Sequence, residues 1–234
     1  MSRTPGRDCI SNQRPNAGIM EAMRYLLLFI PALLLTAQTP AASKKTSDHK
    51  ALAAAAIPQN FKESGSPTAP VGIEIYTDYE CPACRALYLD VLPSLISDFV
   101  ATGKVHLLHR DFPLQMHQFS KLATRYANAA GTIGKYDVVA NQIFVSQPEW
   151  SQNGNVDAAV AKVLSPADME KVRALVRTDS HLDDSVTKDV AMGNQDHLSQ
   201  TPTIVIVAKG KRDVIGGGMP YSILKQYLNS KLAQ

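Results

Sequence analysis

From Val71 to Phe99 the chain reads VGIEIYTDYECPACRALYLDVLPSLISDF. The opening VGIEIYTDY alternates apolar with other residues and is rich in β-branched and aromatic side chains, which predicts a strand. After Pro82 the apolar residues Leu87, Val91, Leu95, Ile96 and Phe99 recur near helical spacing, which predicts a helix ending around Gly103. Cys81-Pro82-Ala83-Cys84 stands at the junction. Proline suits the first helical position, so Cys81 falls at the N-cap. There its sulfur faces unpaired backbone N–H groups and the positive end of the helix dipole, and both favour thiolate over thiol. A sulfur of lowered pKa attacks and leaves readily, as thiol–disulfide exchange requires. Cys84, one turn further in, is then the resolving thiol. Two rival readings carry less weight. A structural disulfide over so small a loop restricts the unfolded chain only modestly. A structural zinc site normally takes four ligands, and no second cysteine pair exists.

Outward from this junction, Lys104 to Phe112 (KVHLLHRDF) predicts a second strand. From about His117 to Leu198 the periodicity is helical, broken at Gly131–Gly134, Gln147–Gly154, Ser165-Pro166 and near Gly193. The apolar residues Leu122, Tyr126, Ile143, Phe144, Val160, Leu164, Leu175 and Val176 are its expected core, and Trp150 is expected to pack a loop. Thr203 to Ala208 and Arg212 to Ile215 predict two hairpin strands turning at Gly210, followed by three glycines and a closing helix, Tyr221 to Leu232. Residues 43–70 have little apolar periodicity and predict a linker or loosely docked lead-in, with a helical turn or two at Lys50 to Ala56.

The 234 residues are 45% hydrophobic and 19% charged, an ordinary globular composition that excludes wholesale disorder and coiled coil. Past residue 43 the chain holds 20 basic and 19 acidic residues, which leaves no electrostatic footprint for nucleic acid. Before that point, Arg24 precedes the apolar block YLLLFIPALLLTA (residues 25–37), followed by a short stretch of small and polar residues. That order predicts a secretory signal peptide within residues 1–42, with Met20 or Met23 rather than Met1 as its expected start. An uncleaved anchor is the alternative. Cys9 would then be absent from the mature chain, leaving Cys81 and Cys84 in an exported protein.

The stretch from Gly65 to Leu114 resembles the opening of the DsbA-like branch of the thioredoxin superfamily. The resemblance rests on Ala69-Pro70-Val71 before the strand, Asp78 three residues ahead of Cys81, the Cys-Pro-x-Cys itself, and Arg110-Asp111-Phe112-Pro113-Leu114. Gln200-Thr201-Pro202-Thr203 and the apolar strand after it resemble the family's cis-proline segment. The resemblance implies an α/β thioredoxin fold in residues 71–114 and 199–234, with a helical insertion at 115–198. It also implies an exported protein-disulfide oxidoreductase that uses Cys81 and Cys84, needs no cofactor and holds no metal. Pro82, Ala83, Thr201 and Pro202 would form the substrate-facing loops, with Thr201-Pro202 cis against the cysteines. Its partners would be reduced or misbridged proteins and a membrane protein that re-oxidises the pair.

Two departures stand out. Relatives often carry an acid beneath the active site as proton acceptor for the inner cysteine; counted from Cys81 it should occupy position 75, where this chain has Ile75. Glu74 points the other way by strand alternation. The best-known oxidases of the family carry a histidine at the position of Ala83, and a methyl group adds no charge. His106 and His109 lie three apart on a strand and face opposite sides, so they cannot jointly ligate one ion. His117, His181 and His197 fall in helices or loops and are expected at the surface. Isomerase or reductase activity would use the same residues. A copper metallochaperone or assembly factor holding metal through Cys81, Cys84 and a histidine is the reading from a different class.

Overall fold

The structure, a computed structural model, describes residues 59–233. The signal segment, Cys9 and the turns expected at Lys50 to Ala56 lie outside the described residues. Among the described residues no helix is long and apolar enough to cross a membrane.

Five strands form one mixed sheet in the order β1-β3-β2-β4-β5: β1 (Glu63–Ser64), β2 (Val71–Thr77), β3 (Val105–Asp111), β4 (Thr203–Ala208) and β5 (Lys211–Gly216). β2 and β3 run parallel, in register Ile75↔His109, and are joined by a helical crossover. β4 runs antiparallel to β2, and β5 to β4. The β4–β5 hairpin turns at Lys209-Gly210, both with positive φ, the conformation a tight two-residue hairpin demands.

The crossover begins with α1 (Pro82–Ala86), widens into i→i+5 turns at Leu87–Val91, passes through α2 (Leu92–Leu95) and widens again at Ile96–Val100. Pro93 lacks the N–H that Leu89 would receive in a regular helix, and the first wide turn lies just ahead of it. Wide turns also suit the sequence. Leu87, Val91, Leu95 and Phe99 repeat every four residues, which would drift about 40° per step on a regular 3.6-residue helix. All four are buried against the sheet, whereas Ile96, expected among them, is 40% exposed. The closing helix α9 (Tyr221–Leu232) adds Leu224 and Leu228 to the same core, opposite Ile73, Ile75 and Leu107.

Between β3 and β4 come six helices: α3 (Ser120–Thr132), α4 (Tyr136–Val145), α5 (Gln147–Trp150), α6 (Val156–Ala161), α7 (Pro166–Thr178) and α8 (Leu182–Gln195). Two breaks differ from expectation. α5 fills part of the stretch read as a loop, with Trp150 buried and its indole N–H donating to the Ile143 carbonyl at 2.7 Å. α8 runs through Gly193 rather than breaking there. A Cβ at that position would come within 2.6 Å of the Phe112 ring, so the glycine serves close approach of α8 to the sheet. Ser165 caps α7 through the Asp168 N–H, and Pro166 takes its first position.

The lead-in is not loose where it is described. Gln59–Lys62 form a 3₁₀ turn and β1 pairs antiparallel with β3. Phe61 lies over Gly131 of α3, and the Lys62 ammonium is buried among Asp111, Asp189 and Ser185. Low apolar periodicity hid this docking because one aromatic ring and one buried cation, rather than a repeated pattern, hold it.

Candidate active site

Cys81 is the N-cap of α1, in extended conformation, with Pro82 first in the helix. Its N–H donates to the Asp78 carbonyl at 3.1 Å, closing the turn out of β2. Its Sγ lies 3.3 Å from the Thr201 carbonyl oxygen, the contact the protonated thiol makes, and the Thr201-Pro202 bond is cis. Tertiary folding therefore brings together residues 120 positions apart. The Pro202 carbonyl is held by the Gly217 N–H at 2.8 Å, where Gly217 has positive φ. This gives the glycine-rich exit a local task. Cys84 is fully buried, and its sulfur receives the Asp78 N–H at 3.4 Å. The two cysteines are not joined in a disulfide, and both pack with Tyr79 into the hydrophobic core of the helices between β3 and β4 rather than into the sheet core.

The two thiols are strongly differentiated. Cys81 drops from 9.0 to about 5. A hydrogen bond from Cys84 contributes most; Thr201 and the N–H groups of Cys84 and Ala83 add to it, and together they outweigh burial. Cys84 moves far upward, first because it is buried and then because it faces the Cys81 charge. The outer sulfur is thus a thiolate at neutral pH and the inner one a thiol.

Pro82 and Ala83 lie exposed at the helix start, while Thr201 and Pro202 are buried behind Cys81. Glu74 turns away from the cysteines, to Arg110 at 3.2 Å and Arg212 at 2.9 Å. Ile75 is fully buried in the sheet core. The residue paired with it is His109, on the same face, with its ring 5.9 Å from Tyr88 and 6.2 Å from Tyr136. Burial lowers His109 to about 4, so it is a neutral imidazole at neutral pH. His106 pairs instead with Glu63 at 3.4 Å. Among the described residues no group of three or more His, Cys, Asp or Glu side chains converges as a metal site.

Three residues near the cysteines carried no functional signal in the sequence. Gln147 of α5 is buried and donates to the carbonyls of Tyr79 at 2.6 Å and Cys81 at 3.0 Å. Arg85 donates from α1 to the Phe144 carbonyl at 3.0 Å. His117, expected at the surface, is instead part-buried, its Nδ1 2.8 Å from the carboxylate of the fully buried Asp78. The pairing crosses loops 39 residues apart and leaves no periodic trace.

A family model described as thioredoxin matches residues 62–213. The chain belongs to the thioredoxin family. It is 25% identical over 151 residues to a probable disulfide bond formation protein D of Bacillus cereus, covering 61% of this chain and 68% of that protein. To a protein of the same description in Bacillus anthracis it is 31% identical over 100 residues, 43% of this chain and 44% of the other. Among solved structures, BdbD of Bacillus subtilis in its oxidised form superposes with a TM-score of 0.63 at 22% identity, over 74% of this chain and 93% of that one. The alpha-DsbA1 of Wolbachia pipientis gives 0.61 at 19%, over 73% and 89%. Thioredoxin-family membership, DsbA-type architecture and a Cys-x-x-Cys pair with one activated sulfur make the protein a thiol–disulfide oxidoreductase.

Proposed function

We propose that this oxidoreductase works in the oxidising direction, introducing disulfides into exported proteins through Cys81 and Cys84. The observation that carries this reading is the strong stabilisation of the Cys81 thiolate, about 5 against 9.0 for an ordinary thiol. Stabilising the reduced state makes the disulfide a stronger oxidant. A substrate thiolate attacks Cys81 Sγ, the Cys81–Cys84 bond breaks, and the departing Cys84 sulfur is protonated. A second substrate thiolate then attacks the substrate sulfur of the mixed disulfide. The substrate disulfide forms and Cys81 leaves as thiolate. Pro82, Ala83, Thr201 and Pro202 surround the reacting sulfur as the surfaces a substrate segment would meet. The names of the Bacillus relatives support disulfide formation as the task. The apolar block at residues 25–37 supports export, and with it a membrane partner that returns the pair to the disulfide. Residues 115–198 act in this reading as an insertion into the thioredoxin frame, supplying Gln147 and the Phe144 carbonyl to the site.

The test is the reduction potential of the pair, together with oxidation of a reduced, unfolded secreted protein. A potential well above about −200 mV and stoichiometric disulfide transfer are expected. A value near the about −270 mV of thioredoxin would make the protein a reductase. Cys84→Ser should accumulate mixed disulfides with substrate, and Cys81→Ser should form none.

A further inference from the structure

Ala83 places no charge between the cysteines, yet a histidine reaches their neighbourhood from another loop. The turn out of β2 and the loop after β3 are clipped together by two carboxylates. Asp78 Oδ2 accepts the Leu114 N–H at 2.7 Å and His117 Nδ1–H at 2.8 Å, while its Oδ1 accepts the Glu80 N–H at 2.7 Å. Glu80 in turn accepts the Phe119 N–H at 2.6 Å. The main chain of Asp78 contacts both cysteines, through its carbonyl to the Cys81 N–H and through its N–H to Cys84 Sγ. One residue therefore holds the imidazole on its side chain and both cysteines on its backbone. His117 keeps 19% of its side chain exposed, open to protons, while Asp78 has no access to solvent.

We propose that His117, fixed by Asp78, is the positioning cation of the redox pair, and that the reduced enzyme is stored as a Cys81 thiolate beside a His117 imidazolium. The proposal rests on the oxidoreductase reading above. When a substrate dithiol is oxidised it gives up two electrons and two protons, and the Cys81–Cys84 bond breaks. One proton goes to Cys84. The other is carried by His117 rather than by Cys81, or passes to solvent where His117 is already protonated. The groups whose charges act on His117 are Asp78, in direct contact at 2.8 Å, and beyond it Glu80 and Cys81. Burial alone would lower its affinity for a proton, but the Asp78 hydrogen bond and charge, Glu80 and the Cys81 thiolate raise it above 6.5. With His117 protonated, the pair it forms with Asp78 is neutral. Once the imidazole loses its proton, the uncompensated Asp78 carboxylate opposes the thiolate. The contribution of His117 to oxidising power is therefore greatest on the acid side of its titration and falls beyond it.

Linkage makes this testable in both directions, because the thiolate must hold the imidazole proton as strongly as the imidazolium holds the thiolate. Histidine NMR of the unaltered chain should show His117 titrating at higher pH in the reduced than in the oxidised protein. His117→Gln keeps an N–H for Asp78 but removes the charge. It should raise the Cys81 pKa, read by thiolate absorbance, and shift the glutathione equilibrium about tenfold towards disulfide, equivalent to about 30 mV. His117→Lys should restore the potential while removing the additional His117-linked step in its pH dependence between about 6 and 8, leaving only the steady fall that the proton on Cys84 imposes. Equal His117 titration in the two redox states, or an unchanged glutathione equilibrium in His117→Gln, would overturn the proposal. If the wild-type protein fails to oxidise protein thiols, the functional reading falls instead, and the titration and the glutathione equilibrium still decide the role of His117.

Discussion

At the scale of single residues, the position of Cys81 determines more than its neighbours in sequence do. Its thiolate is stabilised first by the Cys84 thiol, then by Thr201 and the first N–H groups of α1. None of these requires a polar residue at position 83. Ala83→His should still add to the set: an imidazolium beside the thiolate is expected to raise the potential by about 30 mV, one tenfold step in equilibrium. A redox titration against glutathione checks it, and an unchanged value would mean the existing donors already saturate the sulfur. The same pKa fixes a pH dependence of stability. The folded value near 5 lies below the unfolded 9.0, so the contribution is complete above pH 9, shrinks as pH falls through this window, and is gone below about 5. The disulfide form has no such group. The stability of the reduced protein relative to the oxidised one should therefore rise between pH 5 and 9, as paired denaturation curves would show.

At the scale of elements, two helices come close to aromatic rings just outside the strands by carrying a glycine at the contact. Phe61 occupies the space a Cβ on Gly131 would need, and Phe112 does the same at Gly193. Gly193→Ala places a methyl 2.6 Å from the Phe112 ring and 3.3 Å from Leu198. Neither neighbour is a freely moving chain end, so the clash should outweigh the better helix propensity of alanine. A loss of about 1–3 kcal/mol in urea unfolding is expected, and a neutral or stabilising result would mean α8 can lift from the sheet without penalty. The crossover helix shows the complementary case. Its four-residue apolar repeat is accommodated by turns wider than an α-helix, which keep Leu87, Val91, Leu95 and Phe99 on one face and leave Ile96 outside.

At the scale of the whole molecule, the described lead-in, the sheet and the helices beside it meet at one buried charge cluster. Lys62 contacts Asp111 of β3 and, at 3.5 Å, Asp189 of α8. Asn128 of α3 donates to Asp111 at 3.0 Å, and Arg110 joins Asp189 to Glu74. Burial raises the pKa of Asp189 and the charge of Asp111 adds to this, while Lys62 opposes both. Lys62→Met would leave Asp111 without its cation, facing Asp189, which would keep only Arg110. Breaking such a pair from one side is strongly destabilising, so a loss of about 3–5 kcal/mol is expected at neutral pH. Partial recovery should follow on acidification, when a carboxylate can take up a proton. Thermal unfolding across pH measures both, and a loss under about 1 kcal/mol would show that water reaches the cluster.

The thioredoxin architecture and the reactive pair were legible in the sequence because their causes are local. Alternation marks β2, proline after Cys81 marks a helix start, and the first N–H groups of that helix and the thiol one turn on both favour a thiolate at its N-cap. Resemblance added Thr201-Pro202, which the structure finds cis and against Cys81. What surrounds the sulfur was decided by tertiary structure alone. Gln147, His117 and Lys62 each act through a single long-range polar contact, and one contact leaves no period to read. His109 stands beside Ile75 only because β2 and β3 pair in that register. A buried charge or hydrogen bond depends on which two loops meet, and that follows from packing of the whole chain rather than from any stretch of it.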